Sequence, residues 1–254
     1  MKLQGKIALV TGSARGLGWE MIQAFAQEGA NVTVCDLSQS DVDGAVSRLG
    51  LPPEKVLGAK ADVTSEPDVI DLFRQVREKF GRLDILVNNA GFAWPRNGPV
   101  NLELSETPLE VWLKVIQTNL TGVFLCSRET LKIMRAQGSG SIINISSPQG
   151  KKGKALRGPY CAAKFGVEGL TQVMALENSA YGIRVNALDP GGMVATEAIK
   201  KISANKGMTI LRPDVIRACA VYLASDEAAG ITGRSLVASE WNRERGIPVE
   251  YVIA

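Results

Sequence analysis

The chain of 254 residues contains no histidine. Without imidazole there is no Ser-His-Asp or Cys-His hydrolase and no His-ligated zinc or haem. Acid-base work near neutral pH therefore falls to Tyr, Lys, Cys or carboxylates with shifted pKa values. Cysteine is scarce: Cys35, Cys126, Cys161 and Cys219 lie far apart and form no CxxC pair. Scattered thiols of this kind point to a reducing compartment, and no metal site is expected. Charge of one sign is also missing, since Lys and Arg number 29 against 26 Asp and Glu, a net of +3 that implies no nucleic-acid partner. No window approaches the roughly 18 uninterrupted apolar residues of a membrane span. The first apolar run is broken by Thr11 and Gly12, so no leader is expected. A cytoplasmic protein with no membrane partner is the expectation.

What is present is ordinary globular material, 45% hydrophobic and 22% charged, without repeats, low-complexity tracts or linkers. Short β-branched runs at 7–10, 32–35, 56–59, 85–87, 142–145, 183–187 and 236–237 read as strands. Helical patterns fill 17–28, 41–49, 67–80, 109–134, 160–181 and 213–223, the fourth of them broken in two. Apolar runs without strict alternation fit strands buried on both faces, and β-α alternation calls for a parallel sheet covered by helices. The prediction is one α/β domain over 1–254, a doubly wound (Rossmann) parallel sheet of about seven strands with helices on both faces. Two stretches, 92–107 and 191–212, are poor in pattern and follow the fourth and sixth strands, where this architecture binds ligands.

After the first strand comes Thr11-Gly12-Ser13-Ala14-Arg15-Gly16-Leu17-Gly18, opening a helix. Glycines there allow a tight turn and bring backbone N–H groups and the positive helix end against a pyrophosphate. The spacing is GxxxGxG rather than GxGxxG, and Asp36 adds weight. It ends the second strand 18 positions after Gly18, close to where an acidic residue hydrogen-bonds a ribose 2′-OH. Arg15 is placed to pair with a 2′-phosphate, but Asp36 repels one and Leu37 brings no second cation. NAD is therefore favoured over NADP.

In this order the motifs resemble the short-chain dehydrogenase/reductase family over nearly the whole chain. The residues that carry the resemblance are TGxxxGxG at Thr11 to Gly18, Asp62-Val63, Asn88-Asn89-Ala90-Gly91, Asn119, Ser147, Tyr160 with Lys164, and Pro190-Gly191. It implies Tyr160 as acid-base catalyst, Lys164 as its partner and ribose ligand, Ser147 as carbonyl binder and Asn119 as proton-relay residue. Ser147 is preferred to Ser146 because Ser147-Pro148-Gln149-Gly150 supplies the SxxG element. For the cofactor it implies Gly12, Arg15, Gly16, Leu17, Gly18, Asp36 and Leu37 around the turn. Asp62 and Val63 would meet adenine, and Asn89, Ala90 and Gly91 the nucleoside. Pro190, Gly191 and either Met193 or Val194 would meet the nicotinamide amide, because the segment holds one residue more than the usual PGxVxT. The residue chemistry agrees with these roles. Lys164 stands four positions from Tyr160 on one helix face, where a cation favours phenolate, and a serine hydroxyl can hold a substrate oxygen.

The resemblance also implies a homotetramer or homodimer built on the helices of 119–134 and 160–181, which carry apolar residues on more than one side. The ending departs from the family: Ser235 to Ser239 runs into Glu240-Trp241-Asn242-Arg243 and a tail over 240–254, expected at the substrate site or a subunit interface. Between Ser147 and Tyr160 lie Lys151, Lys152, Lys154 and Arg157, with Arg96 in the other pattern-poor loop. Cations there suit an anionic substrate, and Arg96, Lys154 and Arg157 are the candidates. The expected activity is NAD-dependent interconversion of an alcohol and a carbonyl on a small polar compound, a sugar, polyol or hydroxy acid. The alternatives are an NADPH-dependent 3-oxoacyl-thioester reductase and a non-catalytic nucleotide sensor.

Overall fold

The computed structural model describes residues 1–94, 101–196 and 209–253. The chain alternates strand and helix as β1 (Ile7–Thr11), α1 (Gly16–Gln27), β2 (Asn31–Asp36), α2 (Gln39–Leu49), β3 (Val56–Lys60), α3 (Glu66–Phe80) and β4 (Ile85–Asn88). It continues through α4 (Leu109–Ile116), a π-helical turn (Gln117–Thr121), α5 (Gly122–Gln137), β5 (Gly140–Ile145), α6 (Gly158–Asn178) and β6 (Ile183–Asp189). The last part holds β7 (Thr209–Leu211), α7 (Arg217–Ala224), β8 (Ser235–Val237), α8 (Ala238–Glu244) and β9 (Tyr251–Ile253). Seven strands form one sheet in the order β3-β2-β1-β4-β5-β6-β8, and every pairing is parallel. The strand order reverses between β1 and β4, and the carboxyl ends of those two strands flank the crevice where such sheets take ligands.

Alternate residues of each strand serve opposite layers. Ala8 and Val10 pack with Met21, Ile22 and Phe25 of α1, while Ile7 and Leu9 pack with Leu72 and Phe73 of α3. This two-sided burial is why the strands read as continuous apolar runs. Local chemistry ends the helices where the pattern stops. Ser38 and Ser65 cap α2 and α3, and Gly50 and Gly81 terminate them in the left-handed region. The helical stretch over 109–134 is broken in two as expected, and the break is the π-helical turn that carries Asn119.

The C-terminal tail takes up structure that its sequence pattern did not announce. β9 pairs antiparallel with β7, and α8 follows β8 without a loop. Trp241 packs on Tyr222 of α7 with ring centroids 5.2 Å apart, and Asn242 is buried, donating to the carbonyl of Val215 at 2.9 Å. The tail is thus bound to its own chain at the exit of the 191–212 stretch, of which residues 197–208 lie outside those described. No helix among the described residues is long and apolar enough to cross a membrane.

Candidate active site

The turn between β1 and α1 is shaped by its glycines. Gly12 and Gly16 adopt φ of +63° and +59°, conformations that side-chain-bearing residues rarely take. A Cβ on Gly18 would stand 2.2 Å from the Gly12 carbonyl oxygen, so only glycine closes the turn. The N-terminus of α1 has no side-chain cap and no acidic residue in its first turn. Its N–H groups keep their positive field for a ligand, which fits a dinucleotide pyrophosphate. Asn89 supports the turn from β4, its Nδ2 donating to the carbonyls of Thr11 at 2.8 Å and Gly12 at 2.9 Å. Asn89 therefore contributes by shaping the turn, a role its place in the NNAG motif did not reveal.

Asp36, buried at the end of β2, accepts from Ala14 N at 3.2 Å and Leu37 N at 2.9 Å. Both bonds fix its carboxylate beside the turn. The Arg15 guanidinium stands 3.7 Å from Asp41, and Leu37 is 60% exposed. A further cation, Arg48, stacks 4.0 Å over Trp19 and donates to the Ala14 carbonyl at 2.6 Å, an arrangement only the packing of α2 on α1 creates. Asp62 begins α3's entry turn by accepting from Thr64 N at 2.8 Å, and Val63 is buried against Gly122.

Asn119, Ser147, Tyr160 and Lys164 stand on the π-helical turn, on the segment after β5, and on the first two turns of α6. Asn119 is fully buried, and its Nδ2 donates to Phe92 at 2.9 Å and Val115 at 3.0 Å, leaving Oδ1 with no partner among the described residues. Ser146 donates to Glu168, which also accepts from Ser235 at 2.9 Å. Ser147 instead exchanges hydrogen bonds with Gln149, two residues on. Lys164 is buried, with Nζ 5.6 Å from the Tyr160 ring centroid and donating to the Ile145 carbonyl at 2.7 Å. Burial brings its pKa down to about 8, against the pull of Asp189 and Glu168. Burial pushes the Tyr160 phenol up to about 12, which the Ser147 hydroxyl and Arg157 only partly offset. Desolvation thus sets the direction at Tyr160, and the cation that lowers the phenol is Arg157, not the Lys164 that the spacing suggested.

Asp189, which no motif singled out, ends β6 with its carboxylate buried. Its Oδ1 accepts from Gly191 N at 2.8 Å, and Lys151 lies 3.8 Å from Oδ2. Behind the site, Asn88 donates to Asn144 at 2.8 Å and Asn144 to Thr171 at 2.9 Å, locking β4, β5 and α6 together. Gly191 takes φ +95°, and a Cβ there would strike Ser239, so Pro190-Gly191 fits directly under α8. Val194 is buried and bridged to Leu211. A small cavity beside Tyr160 is lined by Trp94, Val111, Val115, Leu156 and Arg157. Lys154 is exposed and does not line it, and Arg96 lies outside the described residues.

Residues 6–207 match the model of the short chain dehydrogenase family. The chain is 36% identical to the cis-4-hydroxycyclohexanecarboxylate dehydrogenase of Sinomonas cyclohexanicum, over 91% of this chain and 94% of that one. It is 35% identical to a 3-oxoacyl-[acyl-carrier-protein] reductase of Thermotoga maritima, over 92% and 96% respectively. The crystal structure of levodione reductase superposes with a TM-score of 0.82 at 31% identity, covering 92% of this chain and 96% of that one. The chain belongs to the short-chain dehydrogenase/reductase family, oxidoreductases that use NAD(P).

Proposed function

We propose that the chain is one catalytic domain that interconverts a secondary alcohol and a carbonyl on a small polar hydroxy compound, using NAD. The observation that carries this reading is the buried Lys164 ammonium beside Tyr160, at the same sheet end as the uncapped α1 turn. A nicotinamide held there would supply or accept the hydride. Tyr160 gives a proton to the carbonyl oxygen in reduction, or takes one from the alcohol in oxidation. Ser147 holds that oxygen, Lys164 restrains the ribose and biases the phenol, and Asn119, whose Oδ1 has no partner among the described residues, would anchor a water through which the proton travels onward. Gly12, Gly16, Leu17 and Gly18 would surround the pyrophosphate, with Asp62, Val63, Ala90 and Gly91 along the nucleoside and Pro190, Gly191 and Val194 at the nicotinamide. NAD is supported by the Asp36 carboxylate and by the engagement of Arg15 with Asp41.

Similarity to the 3-oxoacyl-[acyl-carrier-protein] reductase favours a second reading, a thioester reductase, for which the exposed Lys152 and Lys154 offer a cationic docking surface. We further infer a homo-oligomer, because Phe124, Phe165, Val173 and Leu176 leave apolar surface on α5 and α6, with Leu176 81% exposed, and a cytoplasmic location, because Cys35, Cys126, Cys161 and Cys219 are free thiols. A screen of hydroxy acids, sugars, polyols and 3-oxoacyl thioesters against both cofactors, followed at the reduced-nicotinamide absorbance, tests the reading. Turnover of a hydroxy compound with NAD is expected. Tight nucleotide binding with no turnover of any of these classes would instead favour the sensor.

A further inference from the structure

Among the described residues, two non-glycine residues have left-handed backbone, Asn101 at φ +58° and Leu156 at φ +63°. Both line the cavity beside Tyr160. A leucine in this region costs about 1–2 kcal/mol, and strained residues gather where a ligand site has to be shaped. Leu156 directly precedes Arg157, whose guanidinium carbon lies over Trp94, 3.3 Å from the ring centroid. Arg157 heads α6, and Tyr160 stands three positions on, so the two share one helix face.

Arg157 is half-buried, and among the described residues no carboxylate pairs with it and no acceptor takes a hydrogen bond from its guanidinium. Burial is the main influence on its charge, and the groups that oppose it are the Tyr160 phenol and the Cys161 thiol. A guanidinium stacked on an aromatic face still presents its N–H edges, the geometry that binds a carboxylate through two parallel hydrogen bonds. The rest of the lining is mainly apolar, from Val111, Val115, Leu156 and Pro159.

We propose that Arg157, braced by Trp94, is the carboxylate-binding residue of this pocket, so that the substrate is a hydroxy or oxo acid with an apolar body between its carboxylate and its reacting carbon. A carboxylate suits the pocket better than a phosphate, since a dianion calls for more than one cation. Among the described residues, Lys151 is drawn toward Asp189 and Lys154 faces solvent. The position of the reacting carbon rests on the oxidoreductase reading. The anion site does not.

Benzoate and benzamide, which share an apolar ring and carry no carbinol, separate the two ideas by calorimetry on the full chain, with and without NADH. Wild type is expected to bind benzoate at least about tenfold more tightly than benzamide, the scale of a charge-assisted hydrogen bond. In Arg157→Met the preference should vanish, and in Arg157→Lys, which keeps the charge but not the fork, part of it should remain. No detectable benzoate binding, no preference in wild type, or a full preference in Arg157→Met would overturn the proposal. Because binding needs no hydride transfer, an intact preference without NAD(P)-linked turnover would sink the oxidoreductase reading alone. Turnover of neutral alcohols without a carboxylate preference would sink this proposal alone.

Discussion

The Nζ of Lys164 donates to the carbonyl oxygen of Ile145 at 2.7 Å, tying α6 to the end of β5 two residues before Ser147. The bond holds an ammonium in the interior while burial lowers its pKa from 10.5 to about 8. That burial makes the site's contribution to stability depend on pH.

In the unfolded chain Lys164 keeps its proton up to pH 10.5, and in the folded one only up to about 8. Between those values the unfolded state binds more protons, so the contribution of this site to stability rises with pH. Below pH 8 the cost of burying the charge is present in full. Lys164→Met is therefore expected to be more stable than wild type at pH 7, by a margin that shrinks toward pH 10. Urea midpoints at pH 7, 9 and 10 check this, and parallel curves for the two proteins would contradict it.

With the Tyr160 phenol pushed up to about 12, the free protein carries this group as a proton donor throughout the neutral range. Oxidation, which needs the phenolate, should therefore gain rate as pH rises, and reduction should not. Tyr160→Phe should lower kcat by about 10²–10⁴-fold in both directions, the usual worth of a positioned acid or base. Steady-state rates alongside a thermal melt separate loss of chemistry from loss of fold, and undiminished turnover would refute the role.

Asp36→Asn keeps a side-chain oxygen for the bond to Ala14 or Leu37 and removes the charge. Discrimination between NAD and NADP should fall by about tenfold or more, as expected for losing a charged hydrogen-bond acceptor and a like-charge repulsion. Comparison of kcat/KM for the two cofactors tests it. An unchanged ratio would place the ribose contact elsewhere.

Two glycine-to-alanine changes should move stability in opposite directions. Gly18→Ala places a Cβ 2.2 Å from the Gly12 carbonyl oxygen, so it should destabilise by about 1–3 kcal/mol and weaken dinucleotide binding. Gly44 is exposed on α2 with nothing within 4 Å of a new Cβ, and Gly44→Ala should stabilise by about 0.5–1 kcal/mol. Chemical denaturation of both variants provides the check, with cofactor titration for the first.

The strand and helix order was legible because two-sided burial of β1 to β6 writes itself as apolar runs, and because Ser38, Ser65, Gly50 and Gly81 mark helix ends locally. The residues of the candidate site were legible because their chemistry needs particular types at particular spacings, as with Tyr160 and Lys164 on one helix face. By itself, then, the sequence determined the layer architecture, the glycine-rich turn proposed to hold the pyrophosphate and the four residues proposed for catalysis. Only the tertiary structure decided what depends on contacts between distant segments. It paired β7 with β9, brought Arg48 onto Trp19, set Asp189 near Lys151, and laid Arg157 on Trp94 while leaving Lys154 in solvent. It also reversed the balance at Tyr160. Spacing shows that a lysine stands near, but desolvation depends on everything packed around the phenol, and here burial outweighs the Ser147 hydroxyl and Arg157.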